Sequence, residues 1–315
     1  MRRTRRIGVV LIWLWLIACW PAGTGLAADK EYSFDYQRYS FEHNQIVTIT
    51  RPVLLDLQVA RGKVNITGSE NGRLVIEAVK RVYAATPTEA EEIANNIEIK
   101  VDQSGRTIRI QTGYVKVANR TPSFWRKILG AGADSYGIVD YTIQVPVATD
   151  IHVIGMDLEI DVSSIEGEIT IENETGSTHG EFLVGPVTIH QETGNINLDW
   201  IDGDVRIKST SCITGIHQVR GALDVTTHSG NVSVKTELNS PRDYFVETVS
   251  GSITFLVPEI ASGVLQIETR SGAMQTDMPV TIRSISNKRL VGKFGRGGPR
   301  ITLTSASGDV RVAQY

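Results

Sequence analysis

Four aligned segments decide the fold: IEGEITIENETGSTHGEF (165–182), LVGPVTIHQETGNINLDW (183–200), IDGDVRIKSTSCITGIHQ (201–218) and VRGALDVTTHSGNVSVK (219–235). They place a small residue at every ninth position: Gly167, Gly176, Gly185, Gly194, Gly203, Cys212, Gly221 and Gly230. A fixed short period marks a repeat architecture. A hydroxyl precedes every second small residue, at Thr175, Thr193, Ser211 and Ser229. The unit is therefore one coil of ~18 residues, twice the nine-residue beat.

Alignment at this period turns the sequence into columns. Ile169, Val187, Val205 and Leu223 form one apolar column; Ile171, Ile189, Ile207 and Val225 form a second; Ile165, Leu183, Ile201 and Val219 form a third. Side chains in a column stack at the ~4.8 Å strand spacing, so inward columns must be apolar and the positions between them tolerate polar groups. Thr170, Thr188, Arg206 and Asp224 meet that condition. Each coil must turn sharply, and glycine accepts positive φ at the corner. The four hydroxyls are expected to bond the corner backbone. Cys212 falls on a glycine register and reads as a small turn residue, with no neighbouring base to make it a nucleophile.

Outside this stretch the pattern is still β. Alternating, β-branched runs such as Leu55–Val59, Val64–Ile66 and Leu74–Ile76, with Gly62, Gly68 and Gly72 between them, predict strands and tight turns. One short helix is expected at about residues 88–97, capped by Thr86 or Thr88. The corner recurs at Ser250-Gly251, Ser271-Gly272 and Ser307-Gly308. Its spacing predicts further coils, the last at Ile301–Val312, which needs a cap or a neighbour to avoid an open edge. The fold class is an all-β solenoid. Residues 29–160 form a β-rich N-terminal part and residues 161–315 the repeats, within one continuous domain.

Residues 1–28 combine Arg2, Arg3, Arg5 and Arg6, an apolar run Ile7–Trp20, and the small-residue end Gly25-Leu26-Ala27-Ala28. This reads as a secretory signal peptide, too short for a membrane span of ~20 residues. Two alternatives remain: Leu16-Ile17-Ala18-Cys19 has the shape of a lipobox with Cys19 lipidated, or the helix stays as an anchor. Loss of those four arginines leaves 28 Lys+Arg against 35 Asp+Glu, a balance of about −7 with His neutral. Such a chain has no electrostatic reason to bind nucleic acid. Cys212 is then the single cysteine, so no intrachain disulfide forms and the fold rests on its core.

The corners, Val139-Asp140-Tyr141 leading to Val145-Pro146, the Glu89–Ile93 helix, and Gly297-Gly298-Pro299-Arg300-Ile301 before Ser307-Gly308-Asp309-Val310 together resemble the bacterial DUF4097 family. That family of β-strand-repeat proteins carries the label putative adhesin. The resemblance covers most of residues 50–315 and implies a β-solenoid on or near the cell envelope. It brings no catalytic residues. Cys212, where glycine is expected, and Gly180, which weakens an inward column, depart from the pattern.

No catalytic, cofactor-binding or metal-binding residue is assigned. Calcium β-rolls share the two-times-nine coil but repeat Gly-Gly-x-Gly-x-Asp, and here Gly203-Asp204 and Gly308-Asp309 match one element each. Asp199, Asp202 and Asp204 are a local acid cluster, read as a solvated turn rather than an ion site. His152, His179, His190, His217 and His228 take different positions in the period and do not stack. Glu172, Gln191 and Lys208 share one outward column with no evident catalytic pair. Residues 118–137 contain Phe124, Trp125, Arg126 and Lys127, a candidate partner-contact loop or a cover over the core. These features predict an exported, non-enzymatic, adhesin-like envelope protein with a glycan or protein partner, in the periplasm or at the cell surface. A carbohydrate-active β-helix enzyme is the alternative.

Overall fold

The computed structural model describes residues 37–48, 53–114 and 137–315. Contacts divide the chain into two units, the larger holding residues 44–77, 99–112 and 141–315. In the smaller unit the helix is Pro87–Asn95. Thr86 Oγ1 accepts from Glu89 N at 3.3 Å, and Glu89 Oε2 accepts from Ala85 N at 3.2 Å. This reciprocal capping, with Pro87 in the first turn, fixes the helix start. Ala90 and Ala94 are its buried side. Lys80 Nζ donates to Ala94 O at 3.0 Å and Ile97 O at 2.6 Å, which ties down the helix end. Burial holds the Lys80 pKa below its ordinary value.

The larger unit is a stack of coils joined by parallel pairing. The strands Thr149–Glu166, Ile169–Val184, Val187–Asp202 and Val205–Arg220 follow one another at a register of eighteen. Leu223–Ser229 with Val232–Thr236 makes the next coil, and Tyr244–Ser250 with Ile253–Val257 the one after. The first two apolar columns are as expected, and their residues are fully buried. Each such side chain stabilises the fold by roughly 1.5–3 kcal/mol, which makes the columns the main source of stability. Gly180 leaves no void, because Leu198 and Leu183 reach into the place its Cβ would take.

The third column differs from expectation. Gln218, not Val219, completes Ile165, Leu183 and Ile201: it pairs with Ile201 and is fully buried. The cause is a local bulge. Ser164, Phe182 and Trp200 each occupy the left-handed region at φ +59°, +53° and +56°, one residue before the column. The fourth coil has no such residue, so it reaches the corner one position early. Gln218 Nε2 then donates to Gly203 O at 2.8 Å and Ala222 O at 2.9 Å.

The corner glycines are required by contact as well as by φ. Gly176, Gly194 and Gly230 lie at φ +122°, +123° and +125°, and a Cβ on Gly194 would sit 1.8 Å from Gly176 O of the preceding coil. The expected hydroxyl column is outward at these corners; Thr175 bonds Met156 O at 3.0 Å. An inward polar column two residues earlier runs through Asn173, Gln191, Ser209, Thr227, Thr248, Ser305 and Thr269, and four of its members bond the corner carbonyls of neighbouring coils. Asn173 Nδ2 donates to Leu158 O at 3.1 Å, Gln191 Nε2 to Gly176 O at 3.1 Å, Ser305 Oγ to Gly251 O at 3.0 Å and Thr269 Oγ1 to Gly308 O at 3.2 Å. These four carbonyls are the ones a Cβ on the next glycine would strike. Glycine lets the carbonyl in, and the polar side chain satisfies it. Cys212 keeps the register of Gly194 but is no open turn residue, since its thiol points inward and is buried.

Chain order and stack order part company at both ends. Arg300–Ser307 and Val310–Gln314 do not form the last coil: they lie between Tyr244–Val257 and the earlier Gly263–Ser271 and Met274–Asp277. The far side of Gly263–Ser271 is covered by Arg289–Phe294 in antiparallel pairing, and Thr281–Ile285 pairs antiparallel with that strand in turn. Val53–Ser69 is enclosed in the same way, between Thr149–Glu166 on one side and Thr107–Tyr114 and Ile138–Pro146 on the other. Both enclosed segments therefore have neighbours on each side.

Candidate functional site

Outward positions are set by the same register. Glu172, His190, Lys208 and Thr226 align on adjacent coils. Gln191, expected in that column, instead points inward at the corner, 2% exposed, because the strand alternates and position 191 falls on the core side. An open groove crosses these coils, lined by Ile154, Glu172, Glu174, His190, Glu192 and Lys208 with Asn173 and Gln191 at its floor. Glu174 and Glu192 occupy equivalent positions of adjacent coils, and with Glu172 all three are solvent-exposed. His152 lies within 3.6 Å of Glu172 and 3.5 Å of Asp56, and Arg109 pairs with Asp56 at 2.7 Å. The groove is thus a mixed-charge surface.

The acid cluster is dispersed among separate partners. Asp199 bonds His217 Nδ1 at 2.8 Å, and Asp202 holds Arg220 through two bonds of 2.8 and 2.7 Å. Asp204 pairs with Arg242 and also accepts the backbone N–H of Ala222 at 2.9 Å. Asp309 accepts from Ala273 N at 2.8 Å in the same manner. The two Gly-Asp pairs therefore bracket neighbouring coils, and the described residues hold no cluster of metal-ligating groups. His179 meets Asn197 at 3.3 Å and His217 bonds Asp199, whereas His152 and His190 lie by Glu172. Desolvation raises the Cys212 pKa, which keeps the thiol protonated.

The outward surface also carries an aromatic corner. Phe182 and Trp200 are 52% and 50% exposed at equivalent positions of adjacent coils, with Val184 45% exposed beside them. The His217 ring packs on Trp200, with centroids 4.8 Å apart. Their spacing of eighteen, one place before an inward column, was readable as an outward aromatic pair. The candidate loop residues Phe124, Trp125, Arg126 and Lys127 lie outside the described residues, as does the signal-like segment with Cys19. Among the described residues no helix is long and apolar enough to cross a membrane.

Several solved structures are distantly similar. One named a putative cell adhesion protein, from Clostridium sporogenes, is 12% identical with a TM-score of 0.23, covering 88% of this chain and 100% of its own. A putative adhesin from Bacteroides fragilis is 13% identical with a TM-score of 0.26, at 87% and 97% coverage. A putative lipid binding protein from Parabacteroides distasonis is 10% identical with a TM-score of 0.44, at 85% and 96%. These likenesses are too remote to transfer a ligand or an activity. No curated protein matches the chain. The Toastrack DUF4097 family model matches residues 54–313, and the chain belongs to that family.

Proposed function

We propose that this protein is an exported, non-enzymatic, adhesin-like scaffold of the cell envelope, which binds a glycan or protein partner on the outward faces of its coils. The observation that carries this reading is the division of labour within each coil. Inward columns, corner glycines and the inward polar ladder are committed to stacking, whereas the outward positions vary freely from coil to coil. A rigid backbone with a variable polar surface suits recognition by many small contacts. The signal-like N-terminus supports export to the periplasm or cell surface, and Cys19 supports a lipid anchor as the other form of attachment.

The deciding experiment incubates the purified mature chain with isolated envelope fractions and a glycan array. Saturable binding supports the scaffold, and binding to none of them removes it. Mass spectrometry of the native N-terminus separates cleavage near Ala28 from lipidated Cys19. The carbohydrate-active alternative has one observation behind it, the adjacent Glu174 and Glu192. Turnover of a polysaccharide that disappears in Glu174→Gln and Glu192→Gln would establish that alternative instead.

A further inference from the structure

We infer that Phe182 and Trp200 form a saccharide-binding platform, which rests on the scaffold reading and names the class of partner it takes. The fold itself does not call for aromatic side chains there. A left-handed backbone disfavours bulky residues, yet Phe182 and Trp200 adopt it at φ +53° and +56°. Ser164 performs the same bulge with a small polar side chain, and the coil ending at Arg220 closes its corner without a left-handed residue. One solution that avoids the strain, and one that meets it without an aromatic side chain, are thus present in the same stack. The aromatic residues keep half their surface in water instead of burying it.

The surroundings select the ligand. Trp200 is backed by His217, whose ring is oriented by the 2.8 Å bond to Asp199, so the indole is held against a fixed support. Glu181 and Asp199 align on adjacent coils beside the aromatic pair, and His179 and Asn197 align two positions before them. An aromatic face bordered by carboxylate, amide and imidazole groups matches a pyranose ring, with its apolar C–H face and its rim of hydroxyls. The coil rise of ~4.8 Å sets the two aromatic positions about one sugar ring apart, which suits an extended oligosaccharide. An anionic membrane is disfavoured because the rim is acidic and Arg220 is engaged by Asp202.

The test measures binding of chitohexaose and cellohexaose to the full mature chain by calorimetry. Phe182→Ser with Trp200→Ser, the residue accepted at Ser164, is expected to weaken binding at least about tenfold with the melting temperature unchanged or higher. Phe182→Gly with Trp200→Gly relieves the backbone strain and should raise the melting temperature while losing the sugar. Trp200→Phe should retain binding within about threefold. Serine and glycine variants that bind like the wild type would overturn the platform and leave the scaffold reading standing. The same holds if neither sugar binds but isolated envelope does, or if the chain binds phosphatidylethanolamine–phosphatidylglycerol vesicles through these residues and no sugar. Binding to no sugar, vesicle or envelope fraction removes both readings.

Discussion

Between Thr149 and Thr236 each coil lies on the coil that precedes it in the chain, whereas at both ends of the stack the order is broken. Val53–Ser69 is enclosed by segments from residues 107–146 and 149–166, and Arg300–Gln314 by residues 244–257 and 263–277. The interior coils form by contacts eighteen residues apart. The ends form only when distant segments meet: residues 300–314 must enter between two coils that are themselves consecutive in sequence. The difference shows that one local rule builds the middle and that closure depends on long-range pairing. Enclosure also removes two segments from the open edges of the stack, where an unpaired strand invites association.

The largest effect is all-or-none and tests the order of the coils. With Cys19 and Cys212 replaced by Ser, cysteines at Glu247 and Thr304 should oxidise to a disulfide, because the two positions are register partners. Cysteines at Glu247 and Glu268 are two coils apart, about 9.6 Å, and should not. Crosslinking of the second pair alone would restore chain order and dissolve the comparison.

Charge placed in an inward column comes next. Val205→Asp in the periodic region and Leu303→Asp in the enclosed coil should each lose at least about 4 kcal/mol in urea denaturation, since both sites are fully buried. A mild effect at Leu303 would mean the enclosed coil is peripheral to stability. Gly194→Ala should cost about 2–4 kcal/mol through positive φ and the encounter with Gly176 O, and a neutral result would show that the corner relaxes. Gln218→Leu leaves Gly203 O and Ala222 O without their donor and should cost about 1–3 kcal/mol, whereas Gln218→Glu should cost more. At the small end, Asp224→Lys breaks an exposed 3.6 Å pair with Arg206 and should change stability by less than about 0.5 kcal/mol. Equal losses for Val205→Asp and Asp224→Lys would refute the assignment of inward and outward faces.

The two apolar columns and the helix near residue 88 were legible because each rests on local spacing that any single coil or turn displays. The exchange of Gln218 for Val219 was not, since a one-residue bulge at Trp200 has no counterpart in the next coil and polarity alone pointed to the valine. The inward polar ladder was hidden for a related reason. Asn173 and Gln191 look like surface residues until the corner carbonyls they satisfy are seen. Of the binding features, the aromatic corner was present in the sequence as a spacing of eighteen. Its exposure and the support from His217 and Asp199 appear only when three coils are stacked.

By itself the sequence determined the coil length, the inward side of the first two apolar columns, and the places where only a small residue serves. Those properties follow from repeating, local constraints of side-chain alternation and turning. Tertiary structure alone decided which coil rests on which, because the apolar columns are chemically alike and leave the stacking order open. Direct pairing of Tyr244 with Ile301 and Ile301 with Leu265 resolves it, and with it the order in which the outward groups meet a partner.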